Sequence, residues 1–379
     1  MDEIKIGIDV SKVNKGYKSG TEYYTQEITK AIIAADNGED DIILYSKKPL
    51  DNAVGILPPN VEEKVMSFPP RLWTQIRLTF EATFHPPTVL FIPAHTIPLA
   101  RCPIVTTVHD LGFKHYPRLY PKHELWYHNF SMDRAINKAT HIIAISEATK
   151  RDILKFYPNA RPSQITVIHH GFNRDKYRPL RANDKEIYRA KYGKYILFVG
   201  RLEEKKNIMG IIRAYALLRK ERGIEHKLVL AGRPRYGFDK VEQEIAKLPQ
   251  PVRDNIIITG YVDDGKLPIL LREADLFLFP TFFEGFGLPI LEAFASGVPV
   301  VASNTTSIPE VAGNAALLVN PRKPLEIASG CSRIINKPDM RQRLIRMGLS
   351  RARQFTWEKS GRETLKVLLG VAYKAKKQQ

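Results

Sequence analysis

A rhythm in the second half of the chain constrains its fold more than any other feature. Five short runs are almost wholly apolar: Tyr195–Val199, Leu228–Ala231, Ile256–Ile258, Leu276–Phe279 and Val298–Ala302. None alternates apolar with polar residues, so each predicts a strand buried on both faces. Helix-like stretches separate them, and the one from Asn207 to Arg222 has apolar residues at Ile208, Ile211, Ile212, Tyr215, Leu217 and Leu218. Repetition of strand, helix, strand predicts an α/β fold with a parallel, doubly wound sheet.

The first half repeats the theme less cleanly, with candidate strands at Ile4–Asp9, Asp41–Tyr45, Val89–Ile92, Ile104–Val108, His141–Ile145 and Ile165–Ile168, and a helix running to about Asn37. A chain of 379 residues exceeds what one core usually organises. The charged, Pro179-containing stretch from Gly171 to Lys194 reads as a connection between two independently packed cores. We therefore expect one α/β domain over residues 1–178 and a second over 179–356. Two such domains would face each other across a cleft, and open parallel sheets bind ligands beyond the carboxyl ends of their strands.

Composition narrows the classes of function. The Met1-Asp2-Glu3-Ile4-Lys5 start lacks the basic and apolar segments of a secretory signal. No apolar run approaches the ~20 residues of a membrane span. The expectation is a cytoplasmic protein, possibly peripheral on the inner face of the cell membrane. Cys102 and Cys331 are too few for a disulfide framework and lack zinc-site spacing, so both are expected to be packing residues rather than ligands; no cofactor is expected. The net charge is +18, with 35 basic against 21 acidic residues from position 179 onward. Such a surface would suit nucleic acid, anionic lipid or a phosphorylated substrate, or would simply be solvated.

Motifs are sought at the strand ends. After Phe279 come Pro280-Thr281-Phe282-Phe283-Glu284-Gly285-Phe286-Gly287-Leu288-Pro289. Pro289 suits the first turn of a helix, and Gly285 and Gly287, on either side of Phe286 and leading into Leu288, let the backbone approach a ligand. Exposed N–H groups and the helix dipole would make an anion site suited to a diphosphate. Glu292 is expected on the first turn, placed to accept two hydrogen bonds from a diol such as ribose. Glu284 is expected in the turn, nearer a sugar. A second motif, Gly200-Arg201-Leu202-Glu203-Glu204-Lys205-Lys206, also joins a buried strand to a helix, and Arg201 with Lys205 or Lys206 would neutralise a diphosphate. In the first half His109 ends a strand, either to bond a sugar hydroxyl or relay a proton, or as a surface histidine paired with Asp110. Gly20 and Thr21 open a helix and would present N–H groups to an anion, or simply form a turn.

These residues resemble the retaining glycosyltransferases of family 4, also called group 1, which have the GT-B fold of two Rossmann-like domains. The resemblance covers essentially the whole chain. Its most specific element is the Glu-Gly-Phe-Gly-Leu-Pro-x-Leu-Glu-Ala context met by Glu284 through Ala293, with Gly297, Pro299 and Val300 following. Gly200-Arg201 with Lys206, His109-Asp110, Ser146-Glu147 and Ile308-Pro309-Glu310-Val311 are also similar. The resemblance implies that Arg201 and Lys206 hold the diphosphate of a nucleotide-sugar donor, Glu292 its ribose and Glu284 the transferred sugar. It further implies that His109 meets a sugar hydroxyl and that Tyr261 and Val262 border the base. Retention without a metal is implied as well, with the departing phosphate helping to accept the acceptor's proton. The stretch from Ala231 through Arg233 to Gly237 looks most like members that move mannose onto surface polysaccharides. That implies GDP-mannose or a UDP-sugar as donor and a carbohydrate or lipid-linked acceptor. In this family the last helix returns to the first domain, so residues 357–379 are assigned there.

Three rival readings carry expectations of their own. A nucleotide-sugar epimerase or hydrolase would share the donor contacts. A nucleic-acid-binding protein would use Arg341, Arg343, Arg346, Arg351 and Arg353; no recognition helix or aromatic-interleaved RNA motif accompanies them, so nucleic acid is not an expected partner. Finally, Arg71 to Phe80 reads as an amphipathic helix with Leu72, Trp73, Ile76 and Phe80 on one face, which would suit an anionic membrane surface.

Overall fold

The computed structural model describes residues 4–13, 20–69, 73–234 and 237–377. Two compact units divide the chain, one of Met1–Gly171 with Thr356–Gln379 and one of Phe172–Phe355. Both are Rossmann-like, and each is built on its own parallel sheet.

Unit 1 contains β1 (Lys5–Asp9), β2 (Asp41–Ser46), β3 (Val61–Val65), β4 (Val89–Ile92), β5 (Ile104–Val108), β6 (His141–Ala144) and β7 (Ile165–Val167), in the spatial order β3-β2-β1-β4-β5-β6-β7. Every residue of β4 and β5 is buried, Thr106 and Thr107 of β5 included, as strands covered on both faces require. The edge strand β3 reads Val-Glu-Glu-Lys-Val and carries no apolar run, so the sequence offers no sign of it. Right-handed crossovers send the Gly20–Asp36 helix to one face, because the chain moves outward from β1 to β2. The connections from β3 to β4 and from β5 to β6 go to the other. The cores agree with this division. Ile28 and Ile32 pack with Trp357, Leu365, Leu368 and Ala372 of the Trp357–Lys376 helix. On the opposite face Trp73, Leu78 and Ala82 share a core with Ala135 of the Lys122–Lys138 helix.

The expected amphipathic stripe is not formed. Trp73 opens a π-helical turn, Trp73–Leu78, is 0% exposed, and donates from Nε1 to the Met66 carbonyl at 2.7 Å. Ile76 and Phe80 point outward instead, because the wider turn breaks the 3.6-residue period on which the expected face depended. Arg71 and Leu72 lie outside the described residues. Among the described residues no helix is long and apolar enough to cross a membrane.

Unit 2 contains β8 (Tyr195–Val199), β9 (Lys227–Ala231), β10 (Ile256–Gly260), β11 (Leu276–Phe279), β12 (Val300–Ser303) and β13 (Leu317–Val319), in the order β10-β9-β8-β11-β12-β13. All five apolar runs contribute strands. The last begins two residues late, at Val300, because Pro299 has no N–H to give the ladder, although its carbonyl accepts from Phe277 N at 2.9 Å. Residues 172–178 fall in this unit, ahead of the boundary expected near Arg178. There the Arg178 guanidinium makes two 2.6 Å bonds to Asp184. The basic residues beyond position 340 do not form one exposed row. Arg351 donates to the carbonyls of Glu310 and Val311, and Arg341 reaches to 3.5 Å from the buried Asp275.

Candidate functional site

In unit 2 the strand order reverses between β8 and β11. The helices that follow them leave to opposite faces, so the loops at their carboxyl ends diverge and open a crevice. The positioning of those loops starts from the backbone. Gly200 N donates to Ala231 O at 2.9 Å, Gly232 N to Gly260 O at 2.8 Å and Leu202 N to Arg233 O at 3.0 Å. A Cβ on Gly232 would fall 1.8 Å from the Gly200 carbonyl oxygen, and its φ is +155°, so only glycine lets these two strand ends meet.

The β8 loop ends at Asn207, a buried residue with φ +59°, a conformation asparagine tolerates better than most residues. Its Oδ1 accepts from Gly210 N at 3.2 Å and so caps the Ile208–Arg222 helix. Its Nδ2 donates to the carbonyls of Pro280 at 2.9 Å and Pro321 at 2.6 Å. One amide thus joins the ends of β8, β11 and β13.

The β11 loop is held from behind by the β12 loop. Thr306 Oγ1 accepts from Glu284 N at 3.2 Å, and Ser307 Oγ lies 3.0 Å from the Glu284 carbonyl and 2.9 Å from that of Phe286. Gly287 then caps the Leu288–Ala295 helix with φ +107°, and a Cβ there would meet Ile308 Cδ1 at 2.8 Å. Gly285 carries no positive φ, so the conformational demand falls on Gly287. The Phe286 ring is buried edge-on against Phe355, with centroids 5.9 Å apart. Pro289 lies in the first turn and the helix has no side-chain cap, so its leading N–H groups form an anion-attracting end.

Charged side chains surround that turn. Lys206 Nζ lies 2.5 Å from Glu284 Oε1, and the two side chains are only 14% and 13% exposed. Lys205 is directed elsewhere, 3.7 Å from Glu203, which also takes Arg201 at 3.1 Å. Of the two lysines, Lys206 is the one whose side chain meets Glu284, while the Lys205 carbonyl accepts from Phe282 N at 3.0 Å. Glu292 is on the second turn, not the first as expected, because the cap falls at Gly287. It is half-buried, and burial pushes its carboxyl up to about 7 against the opposing effects of a Tyr177 hydrogen bond and Lys176. At the same end of the sheet, beyond β9 and β10, the Arg233 guanidinium lies 5.0 Å over the Tyr261 ring, and Val262 is half-buried beside it.

In unit 1 His109 follows β5. It is half-buried, with Nε2 2.9 Å from the Pro93 carbonyl and its ring edge-on to Tyr24. Burial lowers its pKa, so the ring is neutral near pH 7. Asp110 Oδ1 accepts from Gly112 N at 2.8 Å, and its charge acts on the neighbouring His109 ring against the effect of burial. Gly20 is the first residue of its helix, and nothing lies within 4 Å of where its Cβ would be. The Thr21 carbonyl accepts from Thr25 Oγ1 at 2.8 Å.

Asn207, Thr306 and Ser307 were not singled out from the sequence. Asparagine ahead of an apolar-periodic helix is a capping signal, and Thr305-Thr306-Ser307 before Ile308-Pro309 is another. Their partners are 21 to 114 residues away, which local pattern does not reveal.

Comparison with known proteins agrees with this architecture. Residues 181–351 match the family model for glycosyl transferases group 1, and residues 19–176 match that for glycosyltransferase family 4. O-antigen chain mannosyltransferase B of Escherichia coli is 33% identical over 266 residues, covering 69% of this chain and 68% of its own. The O-antigen chain mannosyltransferase RfbU of Salmonella typhimurium is 27% identical over 245 residues, covering 65% and 64%. Among solved structures, Alr3699/HepE of Anabaena in complex with UDP and glucose superposes with a TM-score of 0.74 at 20% identity, over 97% of this chain and 100% of that one. Sucrose-phosphate synthase of Thermosynechococcus elongatus does so with a TM-score of 0.73 at 18% identity, over 96% and 98%. With the sheet order, the glycine turns and these matches together, the chain belongs to the group 1 glycosyltransferases and has the GT-B fold.

Proposed function

We propose that this protein transfers mannose or a related sugar, with retention of anomeric configuration and without a metal, from GDP-mannose or a UDP-sugar to a carbohydrate or lipid-linked acceptor. The observation that carries the reading is the Lys206–Glu284 pair at the Gly287 turn, with Glu292 one turn further along the same helix. A cation, a helix amino end and two carboxylates within one crevice match a donor's diphosphate, sugar and ribose. The mannosyltransferase relatives support mannose, and the UDP complex of HepE supports a nucleotide-sugar.

In this mechanism the diphosphate accepts N–H groups from Gly285 to Leu288, with Lys206 and Arg201 supplying charge. Lys206 is drawn toward phosphate and Glu284 turns to the sugar's hydroxyls. Ionised Glu292 accepts both ribose hydroxyls, Tyr261 and Val262 border the base beside Arg233, and neutral His109 holds a sugar hydroxyl. Gly200 and Lys205 shape the β8 loop, while Gly20 and Thr21 offer N–H groups from unit 1. The bond between the sugar's anomeric carbon and the phosphate oxygen breaks as the acceptor oxygen bonds to that carbon on the same face. The acceptor's proton passes to the departing phosphate. Stabilising the charge on that leaving group contributes most to the rate. Acceptor and enzyme would meet at the inner face of the cell membrane.

Calorimetric titration with GDP-mannose and UDP-sugars tests the assignment. Binding that weakens at least about tenfold in both Lys206→Ala and Glu292→Ala supports it, and binding unchanged in both overturns it.

A further inference from the structure

Unit 1 carries an apolar surface that the proposed chemistry does not use. Among the described residues every phenylalanine and tryptophan counted as exposed belongs to it: Phe80 (52%), Phe84 (60%), Trp126 (68%) and Phe130 (51%). Ile76, Leu99 and Tyr127 add to it. The residues come from two elements on the same face of the sheet, the segment Trp73–Phe84 and the Lys122–Lys138 helix, which share the core of Trp73, Leu78, Ala82 and Ala135. One hydrogen bond joins the two elements, and another ties the neighbouring loop to the first. Gln75 Nε2 donates to Tyr127 Oη at 3.4 Å, and Leu99 N donates to Thr79 Oγ1 at 3.0 Å.

The Trp126 and Phe130 rings stack in the open, 5.6 Å apart with planes 4° from parallel, and the Phe80 and Phe84 rings lie 4.6 Å apart. Four exposed aromatic rings on one face exceed the scattered apolar residues of an ordinary surface. The charges around them favour one sign. Arg101 and Lys122 are exposed, Arg134 is half-exposed on the outer side of the same helix, and the Arg77 guanidinium lies 5.9 Å from the Phe80 ring. Glu124 and Asp133 are the acids on that helix, whereas Glu81 is buried and held by Lys64 and Arg77.

We infer that this face, with Trp126 and Phe130 at its centre, docks on an anionic lipid bilayer. Tryptophan and tyrosine favour the headgroup region, apolar rings reach into the acyl boundary, and flanking cations meet lipid phosphates. A second copy of the chain is a poorer occupant, because two-fold pairing would set one cationic rim against the other. The inference gives the membrane element of the proposed function a surface, and its test reads lipid binding without turnover, so either can fail alone.

The full chain is mixed with vesicles of phosphatidylcholine alone or with 30% phosphatidylglycerol, and sedimentation and tryptophan emission are followed. Trp73 and Trp357 are buried, so emission that shifts to the blue on vesicle addition reports Trp126. We expect sedimentation with anionic vesicles, a blue shift absent in Trp126→Phe, and a roughly five-fold or greater loss of sedimentation in Trp126→Glu and in Phe130→Glu. Lys359→Glu with Lys366→Glu, on the helix of the opposite face, should leave sedimentation within about two-fold, and unchanged thermal unfolding confirms that each variant folds. No sedimentation with either vesicle overturns the inference. So does sedimentation lost in the Lys359 and Lys366 variant but kept in Trp126→Glu, or a self-association that Trp126→Glu abolishes while lipid binding is absent.

Discussion

Replacing Glu292 by glutamine should weaken donor binding while stabilising the empty protein, two opposite effects from one atom change. Burial raises the Glu292 carboxyl from its ordinary 4.5 to about 7. The folded-state pKa is therefore above the unfolded one, and the sign follows. The folded state holds the proton more tightly, its advantage is complete below pH 4.5, and it is lost as the pH rises through about 7. Each pKa unit corresponds to ~1.4 kcal/mol, and partial solvent access reduces the total to about 1–2 kcal/mol at pH 8. Glutamine avoids that charge and keeps an acceptor for Tyr177. Thermal unfolding of Glu292→Gln at pH 8 should rise by about 2–5 °C and at pH 5 should match wild type. If the ionised carboxylate receives the ribose, wild-type affinity for a nucleotide-sugar should tighten about tenfold from pH 6 to pH 8 as that group ionises. A nucleotide-sugar is the right ligand, since its esterified diphosphate does not itself titrate in this range. The glutamine variant should show no such slope and bind at least about tenfold more weakly at pH 8. Equal affinity of variant and wild type at pH 8, or a flat wild-type profile, would refute the reasoning.

Other perturbations separate scaffold from ligand contact. Asn207→Ala removes the bonds to Pro280, Pro321 and Gly210, leaves buried carbonyls unmet, and should cost about 2–4 kcal/mol in urea unfolding; a loss below about 1 would show that the loops are held otherwise. Gly232→Ala must displace the Gly200 carbonyl 1.8 Å from the new methyl, so a loss of several kcal/mol or failure to fold is expected. Gly20→Ala meets nothing within 4 Å and should stay within about 0.5 kcal/mol of wild type by the same measurement. Lys206→Ala leaves a largely buried carboxylate without its ammonium, and a double-mutant cycle with Glu284→Gln should return a coupling of about 1–3 kcal/mol. Coupling near zero would mean that the 2.5 Å contact contributes nothing in solution.

The central strands were readable because β4, β8, β9, β11 and β12 are almost wholly buried and so almost wholly apolar. Edge strands β3 and β13 were not. Three successive charged residues interrupt β3 at a half-wet edge, and β13 is reduced to Leu-Leu-Val with only Val319 buried. Glycines and charged residues at strand ends pointed to the crevice, because that position in a parallel sheet is fixed by topology. What stayed hidden is long-range. No local pattern shows that Asn207 ties three loops, that Ser307 supports the Glu284 turn, or that Lys206 rather than Lys205 meets Glu284. Trp73 misled for a related reason, since a helical period assumes 3.6 residues per turn and the chain departs from it there. The exposed face of Trp126 and Phe130 emerges only once the buried side of its helix is known.

Sugar transfer by this protein requires that a nucleoside diphosphate be released in step with acceptor glycosylation. Purified protein incubated with GDP-mannose or UDP-sugars, with and without lipid-linked glycan from cell membranes, should release diphosphate only when acceptor is present. The sugar should appear in the lipid fraction, and Lys206→Ala should abolish the signal. Release at the same rate without acceptor, or none from any donor while acceptor is present, would contradict it.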